Sequence, residues 1–460
     1  MRLKFLIHLS TSIVLCLFGQ LSILSAQTRE IRVATFNTSL FRNESGKLLE
    51  ELGGSDVIKT QWVAEIIQRV NPDIVLLNEF DYDAAGDAID RFHANYLQVG
   101  QGSQSAVEFP YRYVAESNTG IASCFDFNNS GHVVKIPMRS GYGEDAFGFG
   151  QFEGQYGMAV LSKYPIDLEG VRTFQTFLWK DMPGALLPDR SFTPAPGDYY
   201  NEAELEVFRL SSKSHWDLPI DIDGEVVHLL ASHPTPPTFD QSEDRNGLRN
   251  HDEIRLWADY VGGSGGYLYD DNGERGGIGD DVRFVICGDQ NADPVDGDSV
   301  DVAILQLLDN PKVNGSFTPR RSSGNSDTST FGLRVDYVLP SQAGFEIVDG
   351  GIFWPVGGAD GANLVGASDH RLVWMDLSLT PLISEAVQAL QVEVDGADVV
   401  LTWSANAGVS YEVESSDDLQ AWNAVTGEPP EVADGAVFFR DSGAAILPGR
   451  KFYRVRADFD

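Results

Sequence analysis

The sequence predicts an α/β (α+β) protein, in which helices cover sheets, followed by a small all-β sandwich. Up to about residue 380, apolar strand-like runs alternate with helical patterns, a mixture typical of sheets covered by helices. After that point only strand-like runs occur, with turn residues between them. The 460 residues are 42% hydrophobic, which provides a sizeable core and excludes global disorder.

Residues 1–26 have the composition of a secretory signal peptide. Arg2 and Lys4 precede a largely apolar stretch, and Ser25-Ala26 offers small residues for cleavage. An uncleaved membrane anchor is the alternative, because the stretch approaches the ~20 residues that span a bilayer. Polar residues inside the stretch argue against an anchor. We therefore expect a secreted or periplasmic protein whose mature chain has no transmembrane span.

The segment 27–380 is expected to form the larger, catalytic domain. Its first strand is Ile31–Phe36, and a helix follows with Ser55 as N-cap and ends before Asn71-Pro72. The continuous apolar run Asp73–Leu77 predicts a fully buried strand. Five further strands and two helices are expected: Gly157–Ser162, Val226–Ser232, Val282–Cys287, Leu333–Leu339 and Leu372–Leu377 as strands, and His251–Tyr260 and Ser299–Leu308 as helices.

The tail, residues 387–460, is expected to form a small antiparallel β-sandwich used as an accessory domain. It contains no cluster of candidate catalytic residues, which favours a module that binds a surface or polymer, or acts as a spacer, over a purely structural cap. The strand patterns are Leu390–Val394, Asp398–Trp403, Ser410–Ser415, Ala436–Phe439 and Lys451–Ala457.

Charge and cysteine content limit the function further. The formal net charge of −35 disfavours a broad nucleic-acid-binding face but allows a local basic pocket. Beyond the signal peptide only Cys124 and Cys287 are present, and two cysteines in a chain of this size are not a disulfide framework.

Polar side chains cluster at the ends of the predicted strands, where sheet scaffolds place catalytic groups. Each alone could be a turn or edge residue, but together they form a specific pattern. Their carboxylate and amide oxygens suit Mg²⁺ or Mn²⁺, and their histidines can move protons or stabilise charge. A metal site of this kind with nearby histidines is suited to the hydrolysis of a phosphate ester. The set is Asn37, Glu79, His233, Asp289, Asn291, Asp336, Asp369 and His370.

Seven short blocks around these residues resemble the signature blocks of the endonuclease/exonuclease/phosphatase superfamily, in the same order along the chain. The resemblance covers about residues 30–378 and leaves the long loops unmatched. It implies a four-layer α/β/β/α sandwich of two packed mixed sheets. The blocks are Val33-Ala-Thr-Phe-Asn37, Ile74-Val-Leu-Leu-Asn-Glu79, Gly157-Met-Ala-Val-Leu-Ser-Lys-Tyr-Pro-Ile166, Ala231-Ser-His233, Cys287-Gly-Asp-Gln-Asn291, Arg334-Val-Asp-Tyr-Val338 and Ala367-Ser-Asp-His370.

The resemblance also implies a metal site and a water-activating group. Mg²⁺, or alternatively Mn²⁺, would be held by Glu79 with Asn37, and Asp369 would lie close by. Asp289 would activate or position the attacking water, and Asn291 would orient the water or the phosphate. Water would attack in line, without a covalent enzyme intermediate.

Two histidines complete the implied catalytic set. His370 would contact the phosphate and either stabilise its charge or act as a base, oriented by Asp336. His233 would contact the phosphate or assist the leaving group.

Five cationic or potentially cationic residues are candidates for holding the substrate phosphate in this acidic chain. Lys213 and His215 lie in one segment, and Arg245, Arg249 and His251 lie in another. The alternative is that these residues form ion pairs with the abundant carboxylates.

The leading functional hypothesis is a secreted, divalent-metal-dependent phosphoesterase for phosphate mono- or diesters. The acidic charge slightly favours small phosphorylated molecules or lipid head groups over nucleic acid. An extracellular endonuclease on DNA or RNA is the alternative. A catalytically silent surface-binding protein is a second alternative, which the complete set of metal, water and histidine positions argues against.

Overall fold

The computed structural model describes residues 29–190, 197–380 and 382, and the strand-bearing parts of the segment 391–459. The predicted signal peptide lies outside the described residues. Within the described part of the chain, no helix has both the length and the apolar character needed to cross a membrane. Cys124 is exposed, Cys287 is buried, and both are free thiols.

Eleven strands and six α-helices are described between residues 29 and 380. The strands are β1 (Glu30–Leu40), β2 (Ile74–Phe80), β3 (Tyr111–Tyr113), β4 (Met158–Ser162), β5 (Arg172–Thr173), β6 (His215–Ile222), β7 (Glu225–Ser232), β8 (Arg283–Asp289), β9 (Asp336–Pro340), β10 (Phe345–Ile352) and β11 (Val373–Leu379). The helices are α1 (Lys47–Glu51), α2 (Ile58–Val70), α3 (Asp87–Phe92), α4 (Glu202–Leu205), α5 (Arg245–Gly262) and α6 (Leu305–Leu308). Short 3₁₀ segments lie at Trp179–Asp181, Gly265–Tyr267, Val300–Val302 and Ala362–Ala367, and a π-helical turn lies at His93–Leu97.

These strands form two mixed sheets. The first has the order β10-β11-β1-β2-β4-β3, in which β1 and β2 are parallel and the other neighbours are antiparallel. The second has the order β5-β6-β7-β8-β9, in which β7 and β8 are the parallel pair. Each sheet therefore has a central parallel pair, whose carboxyl ends lie at one edge.

The inner faces of the two sheets pack on each other through one apolar cluster. It draws Val33 and Leu76 from the first sheet, and Trp216, Leu229 and Val285 from the second. All five are at most 1% exposed. Burial of this much apolar surface is the main force that holds the sheets together.

The outer faces are covered by helices, because alternate residues of a strand point to opposite sides. Val75 of the first sheet packs with Val63 and Ile67 of α2. Ile286 of the second sheet packs with Trp257 of α5. The predicted four-layer α/β/β/α sandwich is therefore confirmed.

The C-terminal segment consists of antiparallel β-sheets, as predicted. One sheet contains β12 (Gln391–Asp395), β13 (Asp398–Ser404), β16 (Glu431–Ala433) and β17 (Ala436–Asp441), and the other contains β14 (Val409–Ser416), β15 (Asn423–Ala424) and β18 (Phe452–Phe459). Its core joins Leu401, Trp403 and Val437 of the first sheet with Val413 of the second. The boundary near residue 380 and the binding role of this segment stay predictions.

Several local predictions differ from the structure. The helix predicted over Ser299–Leu308 is a 3₁₀ segment at Val300–Val302 followed by the separate, short α6. Strands β3, β5 and β10 were not predicted. Ser55 is not the cap of α2, which has Val57 at its N-cap position without a side-chain hydrogen bond. Helix α5 begins at Arg245, six residues before the predicted start. Strand β6 was not predicted, although apolar and polar residues alternate along it. Pro219 within it argues against a central strand, since proline cannot donate a ladder hydrogen bond.

We expect Trp216→Ala to lower the free energy of unfolding by about 3–5 kcal/mol, because it leaves a cavity between the sheets. Trp216→Phe should cost about 1–2 kcal/mol, since the ring volume is largely kept and the buried Nε1 has no hydrogen-bond partner among the described residues to lose. Urea unfolding of both variants measures this. A cost below about 1 kcal/mol for Trp216→Ala would contradict the packing described here.

Candidate active site

Strand ends from both sheets meet at one position in the fold. Asn37 lies on β1, and Asp289 is the last residue of β8. The Asn37 side chain crosses between the sheets, where its Nδ2 donates to Asp289 Oδ2 at 3.0 Å. Asp336, the first residue of β9, is the register partner of Asp289. The sheet registers therefore bring these three residues together.

Asp289 is the centre of this group and is 1% exposed. Its Oδ1 accepts the backbone N–H of Asn291 at 3.0 Å. Its Oδ2 lies 3.4 Å from Nε2 of His233 and 3.7 Å from Nε2 of His370. Burial alone would raise the pKa of Asp289, but the charge of His370 and the hydrogen bonds from His233 and Asn37 lower it below its ordinary value. Asp289 is therefore held as a carboxylate.

His370 is paired with Asp336 through an Nδ1–Oδ2 contact of 2.9 Å. Burial would lower the pKa of His370, but the carboxylates of Asp336 and Asp289 outweigh it and raise the pKa. The ring is therefore a cation between two aspartates, with Nδ1 fixed by Asp336 and Nε2 directed toward Asp289.

His233 has the opposite character. Burial, together with the positive charge of Lys213, lowers the pKa of His233 to about 4. Its Nδ1 is buried and has no hydrogen-bond partner among the described residues. The site thus contains one neutral and one cationic imidazole on either side of the same carboxylate.

Glu79 and Asn37 lie where both central strands of the first sheet become irregular. The pairing of β1 with β2 shifts between Asn37 and Leu40. Glu79 adopts a left-handed backbone with φ 55°, and so does Ser39 with φ 47°. Such conformations are strained for residues with a side chain and concentrate at functional sites. Here they accompany a β-bulge beside Asp289.

The donor set at Glu79 fits a hard divalent cation. Burial raises the pKa of Glu79, and the nearby carboxylates of Asp289 and Asp369 raise it further, against a hydrogen bond from Asn37. Several oxygen donors converge here, and their negative charge is not fully balanced by nearby cations. Such a site matches the preference of Mg²⁺ for oxygen ligands. The residues present therefore fit the metal that the sequence predicts.

A cleft of about 480 Å³ opens over Glu79 and Asp369. Asp369 is exposed, and its Oδ1 accepts from the Ser39 hydroxyl at 2.8 Å. Lys59 of α2 donates to the Ser39 carbonyl and faces both carboxylates. Tyr156 also lines the cleft, with its ring 4.5 Å from that of Phe41.

A second group of metal-type donors consists of Asp289, Asp336 and His370, whose ligating atoms lie within 4.8 Å of one another. A hydrogen bond already joins two of these side chains, from His370 Nδ1 to Asp336 Oδ2. We therefore assign this triad to holding charge and protons. It adjoins the Glu79 donor set, because Asn37 hydrogen-bonds to Asp289.

Three supporting residues were missed in the sequence analysis. Asn78 Oδ1 accepts the backbone N–H of Asp289, and Asn78 Nδ2 donates to the Ser232 carbonyl, so it links the two sheets. The Ser368 hydroxyl donates to the Asn37 carbonyl at 2.7 Å. Lys59 faces the cleft from a helix. Only Asn78 gave a signal in the sequence. It is an amide inside the apolar run of β2, and a buried polar group needs a hydrogen-bond partner.

Lys213 is buried near Glu79, Asp289 and His233, and its role as a phosphate ligand stays a prediction. It is 6% exposed. Burial lowers the pKa of Lys213, against the attraction of Glu253, Glu79 and Asp289. Its ammonium forms no hydrogen bond or ion pair with the described residues. A buried ammonium in this state is suited to hold an anion.

His215 and Arg249 do not line the cleft, and their assignment to substrate binding is corrected. His215 is 1% exposed, and its Nε2 donates to the Glu253 carbonyl at 2.9 Å. Arg249, on α5, donates to the carbonyls of Leu210 and Phe147. Both are structural, because they satisfy buried carbonyl groups.

Arg245 and His251 form local contacts with acidic side chains. Arg245 pairs with Glu243, and His251 Nδ1 lies 3.0 Å from Asp252 Oδ1. These contacts correspond to the ion-pair alternative, and the assignment of both residues to substrate binding stays a prediction.

A profile of the Endonuclease/Exonuclease/phosphatase family matches residues 34–370. The chain belongs to this family. The resemblance found in the sequence is therefore confirmed, and this family member is a metal-dependent hydrolase of phosphate esters. No curated protein matches the chain.

Several solved structures are also similar to the chain. An endonuclease/exonuclease/phosphatase from Beutenbergia cavernae is 17% identical with a TM-score of 0.44, covering 93% of this chain and 100% of its own. Sphingomyelinase C from Streptomyces griseocarneus is 16% identical with a TM-score of 0.38, covering 77% and 100%. A beta toxin variant from Staphylococcus aureus with bound magnesium ions is 14% identical with a TM-score of 0.37, covering 75% and 99%.

The buried His215 predicts a loss of stability at acidic pH. Burial lowers the pKa of His215 to about 4. The unfolded chain protonates near the ordinary pKa of about 6.5, so it binds the proton first as the pH falls. The free energy of unfolding should therefore fall by about 2–3 kcal/mol between pH 6.5 and 4 from this residue alone.

Urea unfolding of His215→Gln at several pH values tests this. The variant should lose about 2 kcal/mol less than the wild type over this window, and His132→Gln on the exposed surface should follow the wild type. Equal pH dependence in the wild type and His215→Gln would show that the residue titrates normally.

Proposed function

We propose that the protein is a secreted, divalent-metal-dependent phosphoesterase that hydrolyses phosphate mono- or diesters by in-line attack of water. The observation that carries this proposal is the position of Asp289. It is a buried carboxylate held between one cationic and one neutral histidine, next to an oxygen-rich metal site. Secretion rests on the sequence of residues 1–26.

The metal would be held by Glu79, Asn37 and Asp369. When bound, a divalent cation neutralises charge on the phosphoryl oxygens and lowers the pKa of a coordinated water. Asn37 would link this site to the water-activating residue, because its amide contacts Asp289 Oδ2 while its Oδ1 accepts the backbone N–H of Ser39.

Asp289 would accept a proton from the attacking water at Oδ2, the oxygen that faces both histidines. Its Oδ1 is fixed by the Asn291 backbone. His370 would donate from Nε2 to a phosphoryl oxygen, with the ring held by Asp336. His233 would contact the phosphate or the leaving group from the other side of Asp289.

Lys213 supports a phosphate-bearing substrate. Its ammonium is held near Glu79 and Asp289 without a hydrogen bond or ion pair to the described residues, so an incoming phosphoryl group would supply the missing partner. The acidity of the whole chain supports small phosphorylated molecules or lipid head groups over a long nucleic acid, which needs an extended basic track.

Replacing Asp289 should remove hydrolysis while the fold is kept. We expect Asp289→Asn to lower kcat by about 10³-fold, the scale of a lost general base. The measurement is turnover of a chromogenic phosphodiester and a phosphomonoester with Mg²⁺, alongside the circular dichroism spectrum.

Asp296→Asn, in the exposed part of the loop that follows β8, is the matched control and should keep wild-type activity. A folded Asp289→Asn protein with a kcat within about tenfold of the wild type would remove Asp289 from the reaction.

We expect turnover to require a divalent metal ion that is bound through Glu79. Chelator should abolish turnover, and Mg²⁺ or Mn²⁺ should restore it. Glu79→Gln should raise the Mg²⁺ concentration for half-maximal activity by at least about tenfold, because a charged oxygen ligand is replaced by a neutral one. Glu50→Gln, which changes an exposed carboxylate, controls for general charge. An unchanged Mg²⁺ requirement in Glu79→Gln would place the metal elsewhere.

A further inference from the structure

A group of arginines close to Asp336 and His370 in the chain has no part in the proposed mechanism. One of them directly follows His370. The other three lie on the connection between α6 and β9, one of them two residues before Asp336. We call this group the arginine cluster. It consists of Arg320, Arg321, Arg334 and Arg371.

Two members of the cluster are ordered on one aromatic ring. The guanidinium carbon of Arg321 lies 4.4 Å from the ring centroid of Trp354, and that of Arg371 lies 4.3 Å from it. Stacking fixes the guanidinium planes through cation–π attraction but uses none of their N–H groups. The Nε–H of each arginine therefore stays available for an acceptor.

No member of the arginine cluster forms an ion pair with a described carboxylate. The hydrogen bonds that are present go to carbonyl groups, from Arg371 to Ser368 and His370 and from Arg320 to Gly324. The Nε atoms of Arg321 and Arg371 are buried and have no partner among the described residues. In a chain with 68 acidic and 33 basic residues, unpaired guanidinium groups are not explained by a shortage of carboxylates.

The cluster members also repel one another. The guanidinium groups of Arg321 and Arg371 share the ring of Trp354. Burial lowers the pKa of Arg334, and the charge of Arg320 adds to this, against the opposing effects of Tyr337 and Asp293. Like charges held together and partly desolvated are unfavourable without a counterion. An anion bound here would relieve that repulsion.

We propose that the arginine cluster is a subsite for a second phosphoryl group of the substrate, beyond the one that is hydrolysed. The planar guanidinium fork matches phosphate oxygens in a bidentate arrangement. Arg320 is exposed and Arg321 is half-buried, so a ligand can reach them from solvent. The proposal rests on the proposed function, because it assigns the substrate class of the same site.

The kinetic test compares substrates that differ in their number of phosphate groups. A nucleoside 3′,5′-bisphosphate is paired with the 5′-monophosphate, and a tetranucleotide is paired with a dinucleotide. For at least one pair, Arg320→Ala/Arg321→Ala should reduce the ratio of the two kcat/KM values by about tenfold, the effect of one lost charge-assisted contact.

The two pairs distinguish the source of the second phosphate. A reduced ratio for the bisphosphate pair identifies a phosphomonoester, and a reduced ratio for the tetranucleotide pair alone identifies a flanking diester. Arg275→Ala, an exposed arginine of another loop without a described ion pair, should keep both wild-type ratios. Unchanged ratios for both pairs in the double variant would overturn the proposal.

Binding without turnover separates this proposal from the proposed function. In chelator, we expect inorganic pyrophosphate to bind the full chain in calorimetry, and to bind Arg320→Ala/Arg321→Ala about tenfold more weakly. Arg320→Ala alone serves if the double variant does not fold. No pyrophosphate binding to the wild type, or equal affinity in the variant, would overturn the subsite. Arginine-dependent binding by a protein that cleaves no phosphate ester would overturn only the proposed function.

Discussion

The active-site arrangement depends on one buried carboxylate between two sheets. Asp289 ends a strand of the second sheet, and Asn37 and Asn78 reach it from the first. A carboxylate removed from water is costly unless it is fully hydrogen-bonded and its charge is balanced. These bonds form only when both sheets keep their registers and their packing distance. The same register and packing of the two sheets are therefore needed for the stability of the sandwich and for the placement of the catalytic groups.

This requirement explains why the sequence predicts the central residues well. A strand that ends inside a sandwich needs polar side chains at its last positions, so Asn37, Glu79 and Asp289 each follow or end an apolar run. The order of the blocks in the chain then indicated the family. Which of these residues would converge was implied by that resemblance, because the spacing of strand ends along the chain does not determine which strands become neighbours in a sheet.

The peripheral cations were harder to predict, because burial depends on tertiary packing. His215 is the first residue of β6, a strand that was not predicted because Pro219 lies within it. Arg249 is a buried residue of α5, a helix that begins earlier than its apolar pattern indicates. Both satisfy carbonyl groups instead of a substrate. Lys59 was missed for a related reason: a lysine on a helix gives no local sign that it faces a cleft. Long polar side chains near many carboxylates carry little information about their partners until the fold is known.

The charge of the protein affects the approach of a substrate differently at long range and at contact distance. The formal net charge of −35 opposes the approach of any polyanion. Over more than about 8 Å that repulsion is screened at physiological ionic strength, whereas contacts inside a partly buried site are not. In the proposed roles, Lys213 and the arginine cluster act at contact distance. Under the proposed function, an acidic protein would select a compact phosphorylated substrate, while a long polyanion would gain too few contacts to offset the charge of the surrounding surface.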